Sequence, residues 1–143
     1  MRLTLALLMA LIGRHVTPVD VTGTWTADVA HCNFGTALHP TRLTLQVSRN
    51  GGRLEVIEVA NGEDGTSLSV RQYEAENRSQ AFGTEIGTAR TIGRIRELRL
   101  ADQLDEWRIS GNGSKLNVSR WIGVPSAANQ QILILRRSSR IAE

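Results

Sequence analysis

The chain has one cysteine, Cys32, so no intrachain disulfide can form and any fold must stand on its apolar core. It has one lysine, Lys115, against sixteen arginines, a ratio that reads as a coding preference for arginine rather than a surface built for phosphate. No acidic residue precedes Asp20, whereas Arg2 and Arg14 do. From Asp20 onward fifteen basic residues face fourteen acidic ones, and this near-balance calls for no nucleic-acid partner. Prolines number three, and no low-complexity tract interrupts the 143 residues, so one ordered domain is the natural reading. Phosphate loops, nucleophilic triads, paired-cysteine motifs and helix-turn-helix patterns are all missing, and no cofactor is implied.

The longest apolar run, Leu3 to Ile12, is broken only by Thr4 and follows the positive end Met1-Arg2. Ten residues are too few to cross a bilayer, so no stable transmembrane span is expected in a mature form. The same length suits the apolar stretch of a secretory leader, with Gly13, Arg14, His15 and Pro18 ending it. Residues 1–20 are therefore read as a signal peptide or N-terminal anchor, 21–137 as the domain and 138–143 as a solvated tail. The expected location is exported, periplasmic or secreted.

Beyond residue 20 the pattern has a period of two. Trp25, Ala27 and Val29 alternate with Thr24, Thr26 and Asp28 in an opening strand, with the indole as its anchor. His31 to Pro40 reads as a loop wrapping one end of a sheet. Thr41–Arg49 and Arg53–Ala60 flank Asn50-Gly51-Gly52, a strong hairpin signal because Asn and Gly accept the positive φ of tight turns. Thr66–Glu76, with Leu68 and Val70 in phase, follows the turn at 61–65. After a polar loop over 77–83, strands are expected over Thr84–Ile92 and Arg94–Leu100, although apolar spacing over 92–104 also fits a helix that Gly87 and Gly93 oppose. Asp105–Ser110 and Lys115–Ile122 flank a second Asn-Gly turn. Gln130–Arg137 closes the set with Ile132-Leu133-Ile134-Leu135, apolar on both faces. The fold class is all-β, an antiparallel up-and-down meander of about eight or nine strands, closing into a barrel that leaves no sticky edges.

Thr22-Gly23-Thr24-Trp25 on the first strand resembles the Gly-x-Trp signature of the calycin group, the lipocalins and avidins. The wider layout, with its Phe-Gly-then-Pro loop and late Trp-x-Ile-Ser-x-Asn-Gly-x-x-Leu-x-Val hairpin, is similar to small exported bacterial proteins of lipocalin-like type. That resemblance implies a barrel whose Trp packs at the closed end beneath an Arg from a late strand. Trp25 would then be covered by Arg120 or Arg136, a favourable guanidinium–indole contact. It also implies a small apolar or amphipathic ligand, although no avidin-like biotin contacts can be placed.

Candidate ligand contacts are the scarce aromatics Trp25, Trp107, Trp121 and Tyr73. Trp25 and Trp107 read as core. Trp121 lies in phase with Asn117 and Ser119 and would contact either a ligand or the 31–40 loop. His31, Cys32 and His39 lie close in sequence, but neighbouring strand residues point to opposite faces and no fourth ligand is evident, so no metal is assigned. Glu55 and Glu58, Glu74 and Glu76, and Asp105 and Glu106 offer carboxylate pairs, of which Glu74 and Glu76 share a face; strand carboxylates read as solvated outer residues, and no catalytic residue is assigned. The expected function is a small-ligand binder, and the alternative is a structural or protein-interaction module with a filled core. Cavity volume separates them; oligomeric state is not encoded in any motif.

Overall fold

The computed structural model describes residues 20–37, 39–75 and 86–138. The expected leader, the loop over 77–83, the strand start at Thr84 and the tail lie outside these residues, apart from Asp20 and Ser138. Among the described residues nine strands form one closed barrel: β1 (Gly23–Ala27), β2 (Arg42–Asn50), β3 (Arg53–Gly62), β4 (Gly65–Ala75), β5 (Gly87–Ile92), β6 (Ile95–Leu100), β7 (Gln103–Ile109), β8 (Lys115–Ile122) and β9 (Gln130–Arg137). Two single-turn 3-10 segments, Val29–His31 and Ala127–Asn129, accompany them, and the described residues contain no α-helix.

Turn chemistry accounts for the hairpins. Asn50 pairs with Arg53 across Gly51-Gly52, and Gly51 has φ +63°. Ile92 pairs with Ile95, and Leu100 with Gln103, so turns at Gly93-Arg94 and Ala101-Asp102 cut the segment that could have been helical into three strands.

The antiparallel meander closes as expected, with one parallel junction. β4 and β5 run parallel, with Tyr73 opposite Gly87 and Ala75 opposite Ala89. A closed ring of strictly alternating strands must have an even number. Nine strands therefore require at least one parallel neighbour, and β4–β5 is the one parallel pair of the nine.

One end of the barrel is sealed by Trp25, which is fully buried and donates from Nε1 to the Val21 carbonyl at 2.9 Å. A guanidinium does lie over the indole, 4.3 Å from the ring centroid, but it belongs to Arg137. Arg120 sits deeper in the barrel and Arg136 is exposed. The reason is phase: Leu133, Leu135 and Arg137 face inward, while Ile132 is 39% exposed. Arg137 also donates to the carbonyls of Asp20, Thr22 and Gly113, which binds the lead-in segment to the β7–β8 turn. A Cβ on Gly23 would lie 2.8 Å from the Arg137 guanidinium, and the backbone there has φ +132°, so the Gly of Gly-x-Trp is the residue the stacked arginine admits.

Gly87 is the second tight approach. A Cβ there would fall 2.5 Å from both the Tyr73 ring and the Arg99 carbonyl oxygen. Gly87→Ala should therefore destabilise the barrel by about 1–3 kcal/mol, whereas Gly62→Ala, with nothing within 4 Å, should be near neutral. Urea denaturation midpoints of the two variants check this.

Candidate functional site

Phase along four strands places charge inside the barrel. On β3, Leu54, Val56 and Glu58 share the inward face; on β4, Arg71 and Tyr73; on β7, Asp105 and Trp107; on β8, Leu116, Val118 and Arg120. Arg71 is 7% exposed, Arg120 5% and Asp105 0%. Arg120 donates from Nε to Asp105 Oδ1 at 2.9 Å and from Nη2 to Asp105 Oδ2 at 3.0 Å. It also grips Glu58 with two donors, Nη1 to Oε2 at 3.1 Å and Nη2 to Oε1 at 2.8 Å. Arg71 reaches the same Glu58 Oε1 at 3.2 Å, Tyr73 Oη at 3.0 Å and Ser69 Oγ at 2.9 Å. Trp107 Nε1 and Gln103 Nε2 complete Asp105, each at 3.3 Å. Among the described residues no buried side-chain polar atom lacks a partner.

Electrostatics follow from this pairing. Burial alone would push the Glu58 carboxyl up, but Arg120 and Arg71 outweigh it and hold it below the ordinary range. Burial likewise opposes the charge on Arg120, yet Asp105 and Glu58 overcome it and push its pKa further up. Tyr73 is driven up chiefly by desolvation, so its hydroxyl stays protonated at neutral pH.

The ion network forms the floor of a cavity of about 760 Å³. Its apolar wall includes Phe34, Leu43, Ala60 and Leu133; Ser67, Ser69, Gln103 and Gln131 add polar groups. Its rim is made by Ala37, His39, Pro40 and Thr41, the β3–β4 turn and Ile122, at the end of the barrel opposite Trp25.

The sequence-predicted contacts fall elsewhere. Trp25 and Trp107 are core residues outside the cavity wall. Tyr73 reaches only a smaller cavity of about 150 Å³ toward the β2–β3 and β5–β6 turns. Trp121 is half-buried on the outer surface, opposite Leu104 and Gln130 in register, and lines neither cavity. Of the predicted arginines, Arg120 does belong to the site, as part of the ion network rather than as the cover on Trp25. Arg71 was missed, and Glu58 and Asp105, each a member of a strand carboxylate pair read as solvated, lie inside the barrel instead. The signal was there: each is two residues from an inward apolar or aromatic side chain on its strand.

His31, Cys32 and His39 do not converge. His31 Nδ1 lies 2.8 Å from Asp28, Cys32 Sγ donates to the Asp28 carbonyl at 3.2 Å and accepts from the Ile134 amide at 3.3 Å, and the His39 ring sits 5.6 Å from that of Phe34. Burial raises the Cys32 thiol. Among the described residues no group of three metal-ligating side chains occurs, and no helix is long and apolar enough to cross a membrane.

The fold is a lipocalin-like barrel. Its solved neighbours include the fluorescent protein UnaG (TM-score 0.58, 16% identity, 82% of this chain and 97% of that one). Another is the siderocalin Ex-FABP, described as functioning through dual ligand specificities (TM-score 0.55, 12% identity, 87% and 78%). A third is zebrafish ileal bile acid-binding protein complexed with cholic acid (TM-score 0.53, 12% identity, 82% and 98%). No protein-family model matches the sequence, and no curated protein does.

Replacing Arg120 with Met should cost about 3–5 kcal/mol, because two buried carboxylates lose their main partner. Glu58 contributes stability that is present above about pH 4.3, its ordinary value, and that disappears as pH falls through its lowered one. The stability gap between wild type and Glu58→Gln should accordingly shrink with acidification below about pH 4. Thermal unfolding across a pH series measures both.

Proposed function

We propose that the protein binds a small amphipathic molecule in the open end of the barrel. The observation carrying this reading is the cavity of about 760 Å³, a volume within the range of small-molecule sites. A filled-core module would leave no such space. The wall is apolar along Leu43, Ala60 and Leu133 and ends on hydrogen-bonding groups at Arg71 and Arg120, so it suits a molecule with an apolar body and one polar end. One fold neighbour is described by its dual ligand specificities and another as complexed with cholic acid, which supports ligand binding as the use of this barrel.

Export belongs to the same proposal. The positive end and ten-residue apolar block fit a secretory leader, and a carrier that meets its ligand outside the cytoplasm would use one. Intact-mass measurement of protein recovered from its own host tests this part: loss of about the first twenty residues supports export, and an unprocessed chain in the cytosolic fraction overturns it.

Binding is tested with an environment-sensitive apolar fluorophore. Saturable enhancement is expected, together with competition by unlabelled amphiphiles. Ala60→Trp projects a bulky ring from β3 into the cavity and should weaken binding by about tenfold or more while the far-ultraviolet circular dichroism stays that of a barrel. Equal binding by this variant would place the fluorophore elsewhere and remove the proposal.

A further inference from the structure

We propose that the cavity selects an uncharged amphiphile whose inner end carries a hydrogen-bond acceptor, such as an ester, amide or hydroxyl oxygen, over a free carboxylate of the same length. The inference rests on the reading of the cavity as a ligand site and adds the chemistry of its polar end.

Two observations lead there. The first is charge. Arg71 and Arg120 are the only lysine or arginine residues lining the cavity among the described residues. Their two positive charges are matched by Glu58, at the floor, and Asp105, directly behind Arg120. The rim adds Glu63 and Asp64 on the exposed β3–β4 turn. Counting these guanidinium and carboxylate groups, the entrance and floor together carry a formal charge of −2. An anion would be repelled on entry, more so at low salt. At the bottom it would meet guanidinium charge already neutralised, and displacing Glu58 would strand a buried carboxylate.

The second observation is donor capacity. A guanidinium has five N–H groups. Arg120 uses four, two on Asp105 and two on Glu58. Arg71 uses three, on Tyr73, Ser69 and Glu58. One N–H on Arg120 Nη1 and one on each terminal nitrogen of Arg71 are left without a partner among the described residues. These donors belong to side chains that line the cavity, and they can serve a neutral oxygen without dismantling the ion network. The floor therefore offers hydrogen bonds without offering net positive charge.

The test uses three probes sharing a twelve-carbon chain: dodecanoate, its methyl ester, and dodecyltrimethylammonium, each titrated against the bound fluorophore at neutral pH and low ionic strength. The methyl ester should displace it at a concentration about tenfold lower than dodecanoate. Dodecanoate matching or exceeding the ester overturns the inference while leaving the ligand-binding reading intact. The ammonium probe outcompeting the ester also overturns it, since rim charge and not the acceptor would then govern selection. Displacement by none of the three overturns both readings. Glu58→Gln should reduce the preference for ester over carboxylate by about tenfold. Should that variant fail to fold, Glu63→Gln with Asp64→Asn on the exposed turn should narrow the preference at low salt and leave it unchanged at high salt; an unaltered preference at low salt overturns the role given to rim charge.

Discussion

Arg120 ties together two walls of the barrel. Its guanidinium, projecting from β8, holds Asp105 on the adjacent β7 and Glu58 on β3, 62 residues away in sequence. A cluster of this kind earns little net stability, since desolvating four charges offsets most of what their attraction returns. What it does is divide the interior. On one side Trp25, Trp107, Leu45 and Leu116 pack solidly toward the sealed end; on the other the strands enclose open space. A layer of apolar side chains at the same height could collapse into that space, whereas charged groups with fixed partners stay where their geometry puts them.

Much of this architecture was legible in the chain because period-two patterning and turn chemistry agree. Asn50-Gly51-Gly52 announced its hairpin, and short turns set the order of β2 to β4 and of β5 to β8. The inward face was harder to read. On β4, Leu68 and Val70 carry the visible apolar alternation, yet they are 67% and 54% exposed, and the inward positions belong to Arg71 and Tyr73. Their outer face is shared with Val59 and Ile57, which pair with them across the ladder. On β9 four consecutive apolar residues gave no alternation from which to choose a phase, and a shift of one residue moved the indole's cover from Arg136 to Arg137.

The site itself was concealed by a general expectation that strand carboxylates and arginines face water. Glu58, Arg71 and Asp105 are unremarkable singly; they become a site only when β3, β4, β7 and β8 curve round to face one another. That convergence depends on closure of the sheet, which no local stretch of sequence contains. The likeness to calycins at 12–16% identity gives the shape of the barrel and is silent on what fills it, so the ligand question is decided by these interior side chains.

The clasp formed by Arg137 has a further effect on how the molecule is displayed. Because it fastens Asp20 and Thr22, and because the Ser138 amide bonds to the Thr24 carbonyl at 2.8 Å, both ends of the described chain emerge side by side at the sealed base. Tethered to a surface or fused to another domain through either end, the barrel would stand with its opening turned away from the attachment, accessible to whatever diffuses past.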